Sequence, residues 1–213
     1  MDTTHAAAAR LPSQPRITVA TFPARGRSQA RSTYSGRAIS RPASEFTGDF
    51  YFTTRIDEIL WFALGDFVGH GLHSAVYMAM VQEELERIIR SRTSMTPAQV
   101  VVSLDDTLRE ILPVNRFATL VVGRARQDGS IDIVNAGHSY PMVMRSDGTI
   151  EWINPHGPVV GIIPSARWEH ESILLRSGDK LVLYTDGIEE ARRQGNSHAA
   201  GEMGELLASL GRA

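Results

Sequence analysis

Apolar and polar positions alternate at two different periods along this chain, and each change of period marks an element. Phe50 to Ile56 and Ile59 to Leu64 are apolar and aromatic runs of strand length, separated only by Asp57-Glu58; that spacing predicts a β-hairpin. Gly65 to Gly71 reads as a glycine-punctuated loop. From Leu72 to Arg90 the period lengthens, with Ala75, Met78, Ala79, Val81, Leu85, Ile88 and Ile89 at helical spacing; this predicts a helix whose stripe packs on a sheet. Thr96-Pro97 predicts the start of a second helix, with Thr as N-cap and Pro at the first helical position, running to about Leu112 and stopping at Pro113.

Strand-length runs then return. Phe117 to Arg126 and Ile131 to Asn135 flank the turn Asp128-Gly129, and Tyr140 to Arg145 and Ile150 to Ile153 flank Asp147-Gly148. Trp168 to Leu174 and Lys180 to Tyr184 flank Ser177-Gly178-Asp179. Ile17 to Phe22 and Thr33 to Ser40 are candidate strands near the start, with a polar, basic loop over Gly26 to Ser32; Gly187 to Arg193 and Glu202 to Leu210 are short helical candidates near the end. Many hairpin-linked strands with two long helices between them predict an α+β fold built on largely antiparallel sheet. Residues 1–30 are expected to form a flexible tail, Ala-rich and broken by Pro12 and Pro15, and 31–213 a single domain.

Composition narrows the chemistry. Hydrophobic residues make up 42% and charged residues 22% of 213, with a net charge of -2 and no basic stripe, which argues against a nucleic-acid partner. There is no cysteine, so disulfides, thiolate zinc sites and cysteine nucleophiles are excluded. A reducing cytoplasm is the expected location. No apolar run is long enough to predict a membrane-spanning helix, and no signal peptide is expected.

Acidic residues beside glycine carry the candidate site. By default an Asp next to Gly is a turn residue, and Asp128, Asp147 and Asp179 read that way. Asp49, Asp66 and Asp186 differ in their setting, since each borders an apolar strand. A carboxylate at a strand end projects from a rigid frame, and an adjacent glycine lets a ligand come close. Carboxylates gathered there suit Mg²⁺ or Mn²⁺, hard cations that prefer oxygen ligands. His70 lies in the glycine loop near Asp66, and His138 reads as a structural hydrogen-bonding residue.

Six segments together resemble, in order, the motifs of SpoIIE-type metal-dependent protein phosphatases (PPM, type 2C-like). They are Pro42 to Tyr51; Gly65-Asp66-Phe67-Val68-Gly69-His70-Gly71 with Ala75; Asn115 to Leu120; Asn135 to Pro141; Gly157-Pro158-Val159-Val160-Gly161; and Leu181 to Ala191. The resemblance implies a four-layer αββα sandwich, two mainly antiparallel sheets flanked by helices, with a two-metal centre at one end. It implies that Asp66 bridges two Mn²⁺ or Mg²⁺ ions, that Phe67 offers its main-chain carbonyl, and that Asp49 and Asp186 each serve one ion. The implied activity is hydrolysis of a phosphoserine or phosphothreonine protein by a metal-activated water, the partner being of the anti-sigma-factor-antagonist kind. A regulatory protein or a homodimer is the expected means of control in a bacterial signalling pathway.

Two departures from the family pattern bear on this. Phe52 stands where a second aspartate usually closes the first motif, and the chain shows no Asp-Asp-x-Thr motif near its end. Fewer carboxylates should weaken one metal site more than the other. The alternative reading is therefore a pseudophosphatase that binds a phosphoprotein or partner without turnover.

Overall fold

The computed structural model describes residues 17–25, 33–34, 37–41, 48–91 and 94–186. The first five strands are β1 (Ile17–Arg25), β2 (Thr33–Tyr34), β3 (Arg37–Arg41), β4 (Asp49–Ile56) and β5 (Ile59–Phe67). Helices α1 (Leu72–Ser91) and α2 (Pro97–Ile111) follow. The remaining strands are β6 (Ala118–Ala125), β7 (Ser130–Ala136), β8 (Met142–Met144), β9 (Ile150–Trp152), β10 (Glu171–Leu174) and β11 (Lys180–Tyr184). One sheet has the order β10-β7-β6-β5-β4; the other has β2-β1-β11-β8-β9, with β3 also on β1. Every strand pairing is antiparallel, as the run of hairpins predicts.

The period-2 alternation of β5 builds both cores. Trp61, Ala63 and Phe67 join Val81, Leu85 and Ile89 of α1 and Val100, Leu104 and Leu108 of α2 on one face. Phe62 and Leu64 point the other way and meet Val143, Leu181 and Leu183 of the second sheet. Helices therefore cover one face of the five-stranded sheet, and the second sheet covers its other face. The helical candidates after Asp186 lie outside the described residues, as does the loop at 26–32.

Local chemistry sets the element ends as read from the sequence. Ile56 pairs with Ile59 across a turn in which Asp57 takes φ 52. At the start of α2 the Thr96 side chain accepts from the Gln99 N–H, and the Gln99 side chain accepts from the Thr96 N–H. This reciprocal capping box satisfies two donors that a helix start otherwise leaves open.

Several boundaries differ from the sequence reading. Gly65 to Phe67 belong to β5 and not to the following loop, because β4 and β6 both pair with them: Asp66 lies opposite Asp49 on one side and Thr119 on the other. Thr33 to Ser40 is divided into β2 and β3, which share one register on β1. The strand read as Trp168 to Leu174 begins at Glu171. Trp168 is instead drawn into the helix-side core, where its indole N–H donates to the Pro158 carbonyl at 2.7 Å. The candidate strand Ile17 to Phe22 is β1, which runs on to Arg25 and pairs with β11 from Val19–Tyr184 to Pro23–Lys180.

Buried ion pairs tie strands together away from the carboxylate end. Asp132 accepts from Arg124 Nε at 2.9 Å, from Ser172 at 2.8 Å and from Arg126. Asp179, read as a turn residue, does close a turn, but it is buried and also accepts from Arg145 and from the Ser146 and Arg176 N–H groups. Among the described residues no helix is long and apolar enough to cross a membrane.

Candidate functional site

Alternation along five strands sends polar side chains to one end of the inter-sheet core. Counting by twos from the inter-sheet residue Leu64 reaches Asp66; from Val121, Thr119; from Ile133, Asn135; from Leu183, Thr185. The β4–β5 register puts Asp49 opposite Asp66, hence on the same face. The apolar layer between the sheets thus ends in a polar layer made by residues far apart in sequence.

Asp49 and Asp66 are the two sequence-predicted site residues that this register brings together. Asp49 is 8% exposed and Thr185 is fully buried. The Thr185 hydroxyl donates to Asp49 Oδ2 at 3.4 Å, a contact that joins the two sheets. Asp186 follows directly and is exposed. Among the described residues no group of three or more His, Asp or Glu side chains gathers at metal-binding distance. His70 is exposed in the loop after β5.

Gly48 shows how closely the oxygens approach. A Cβ built there would lie 2.5 Å from Asp66 Oδ1 and 2.5 Å from the Phe67 carbonyl oxygen. Only glycine leaves room for a carboxylate and a main-chain carbonyl at that point. The Phe67 N–H donates to the Gly48 carbonyl at 3.1 Å, which holds the two segments together. Two carboxylates and a main-chain carbonyl, all oxygen donors, fit a hard divalent cation.

Behind Asp66, Thr119 Oγ1 lies 2.8 Å from His138 Nδ1. The His138 main chain is clasped by Asn135: its N–H donates to Asn135 Oδ1 at 2.8 Å, and Asn135 Nδ2 donates to its carbonyl at 3.1 Å. Gly137, at φ +68, makes this tight return possible. Burial pushes the His138 imidazole down to about 4, with a partial offset from the Tyr184 main chain. His138 is therefore neutral at pH 7. It serves as a packed hydrogen-bonding post between β6, β7 and the end of β11, in keeping with its sequence reading.

Three contributors escaped the sequence reading. Thr185 was legible only as a neighbour of Asp186; its inter-sheet position follows from Leu181 and Leu183 once β11 is known to face β5. Thr119 becomes relevant through its register with Asp66. Arg116, seen in the sequence only as one position of the Asn115 to Leu120 segment, lies with its guanidinium against Gly69 in the loop that leaves Asp66.

Comparison with known proteins agrees with this layout. The family model described as Stage II sporulation protein E (SpoIIE) matches residues 57–212. The chain is 26% identical over 159 residues to phosphoserine phosphatase RsbU of Bacillus subtilis (strain 168), covering 74% of this chain and 47% of that protein. It is 29% identical over 154 residues to phosphoserine phosphatase RsbP of the same organism, covering 68% of this chain and 37% of that one. The chain thus spans less than half the length of these two relatives. The solved PP2C phosphatase domain of Bacillus subtilis SpoIIE, with a fragment of its regulatory domain, superposes with a TM-score of 0.63 at 20% identity, over 83% of this chain and 47% of that one. At that identity the likeness establishes the fold.

Proposed function

Because the chain belongs to the SpoIIE family, we propose that it is a divalent-metal-dependent protein phosphatase that hydrolyses a phosphoserine or phosphothreonine ester on a protein partner. The observation that carries this reading is the pairing of Asp49 with Asp66 at the polar end of the inter-sheet core. Asp49, Asp66 and the Phe67 carbonyl would hold Mn²⁺ or Mg²⁺, with Asp186 approaching from the end of β11. When bound, such cations supply an activated water and charge neutralisation for in-line attack on phosphorus.

The chain's own residues prepare that chemistry. Strands β4 and β5 set the two carboxylates on a rigid ladder. Thr185 donates to Asp49 Oδ2 and orients that carboxylate. The apolar layer beneath the site, with Leu64, Val121 and Leu183 nearly free of solvent, closes it to water from below and strengthens the local field. The phosphatase names of RsbU and RsbP support a phosphoprotein substrate, and a small anti-sigma-factor antagonist is the proposed partner class.

The test is phosphate release from a phosphoserine peptide, with Mn²⁺ and with EDTA, by wild type and Asp66→Ala. Mn²⁺-dependent release that falls to background in the variant is the expected result. Equal release by the variant would sink the reading. No release from a folded wild type at any Mn²⁺ concentration would leave a phosphoprotein-binding module in its place.

A further inference from the structure

The β5–β6 ladder pairs Phe67 with Ala118. One step beyond it, the Val68 N–H donates to the Phe117 carbonyl at 3.0 Å. The next step sets Gly69 opposite Arg116, and the side chain confirms it: a Cβ on Gly69 would lie 3.2 Å from Arg116 Nη1 and 2.9 Å from Ser74 Oγ. Gly69 sits at φ +104, and the Ser74 hydroxyl donates to the Val68 carbonyl at 3.3 Å. The guanidinium therefore rests against a loop anchored to α1, three residues after Asp66. Since β6 and β4 flank β5 on opposite sides, Arg116 approaches from the side away from Asp49.

Among the described residues Arg116 has no carboxylate partner, as is true also of Arg55, Arg167 and Arg176; its place against the loop that leaves Asp66 sets it apart from those three. Arg87, Arg90, Arg109, Arg124, Arg126 and Arg145 each engage an acidic side chain. Arg116 is exposed and engages none among the described residues. A planar guanidinium fork matches phosphoryl oxygens two at a time and keeps its charge at every working pH. A phosphomonoester carries nearly two negative charges at pH 7, so an exposed cation against the loop three residues past Asp66 offers its outer oxygens a favourable seat.

We propose that Arg116 binds the phosphoryl group of the substrate through its guanidinium. This rests on the phosphatase reading for the identity of the ligand. The test measures binding apart from turnover, by fluorescence anisotropy with a labelled peptide carrying a non-hydrolysable phosphonate in place of phosphoserine, and with its serine twin. Wild type, Arg116→Ala and Arg116→Lys are compared in Mg²⁺, with melting temperatures taken in parallel. The expected result is affinity for the phosphonate peptide weakened about tenfold or more in Arg116→Ala. Arg116→Lys should recover part of the loss, with binding of the serine peptide and melting unchanged. In turnover of the phosphoserine peptide, KM should rise by a larger factor than kcat falls.

Selective phosphonate binding by wild type, lost in Arg116→Ala, in a protein that releases no phosphate would uphold the Arg116 assignment while the phosphatase reading fails. Turnover with the same KM in wild type and Arg116→Ala would uphold the phosphatase reading and overturn the assignment. A wild type that binds both peptides alike would overturn it too.

Discussion

Replacing Gly48 with alanine adds one methyl group where the candidate site is most crowded. The new Cβ would lie 2.5 Å from Asp66 Oδ1, 2.5 Å from the Phe67 oxygen and 3.3 Å from the Phe67 nitrogen. Comfortable contacts to carbon are about 3.5 Å or more, so the neighbours must yield by roughly an ångström. Asp66 can rotate away. Phe67 cannot, because its ring is fully buried, its N–H is bonded to Gly48, and its backbone pairs with Ala118. Overpacking of this kind costs about 1–3 kcal/mol, which in a chain of this size lowers Tm by about 2–12 °C. Mn²⁺ affinity should fall as well, since the displaced atoms are the proposed ligands. The assays are a thermal melt in EDTA and a calorimetric Mn²⁺ titration. Gly71→Ala separates crowding from the loss of glycine itself: nothing lies within 4 Å of its Cβ, but φ is +79. It should cost about 1–2 kcal/mol through the left-handed backbone and leave Mn²⁺ affinity intact. A Gly48→Ala protein that melts with wild type and binds Mn²⁺ equally would refute the reasoning.

Asp132→Ala should cost about 3–5 kcal/mol, because it strands the largely buried Arg124 guanidinium. Burial pushes the Asp132 carboxyl up, but hydrogen bonds from Arg126, Ser172 and Arg124 hold it well below the usual carboxylate range. An unchanged urea midpoint would contradict that estimate. His138 makes stability depend on pH. Its folded pKa of about 4 lies below the ordinary 6.5, so between those values the unfolded chain binds the extra proton. Its contribution is complete above pH 6.5, declines as pH falls and is gone below about 4, a loss of about 3 kcal/mol. Urea denaturation across that range should give a steeper slope for wild type than for His138→Asn, and parallel slopes would exclude the effect.

What the sequence determined by itself was chiefly local. The period-2 and helical runs placed most strands and both helices, because alternation and stripe are set by neighbours along the chain. Asp57-Glu58 marked a hairpin and Thr96-Pro97 a helix start, since turn and cap chemistry acts within a few residues. Ordered motifs identified the family and marked Asp49, Asp66 and Asp186 as candidates. Tertiary structure decided what depends on register and layer packing. Asp66 became a strand residue because β4 and β6 both claimed its backbone. Asp179 became a buried hub because Arg145 reaches it from 34 residues away. Thr185 met Asp49 across 136 residues, and Arg116 met Gly69 only because one ladder continues a step past its strands. A strand's own pattern says which residues share a face; which strand lies opposite, and at what offset, is settled by the hydrogen-bonded ladder and by the burial of both faces together.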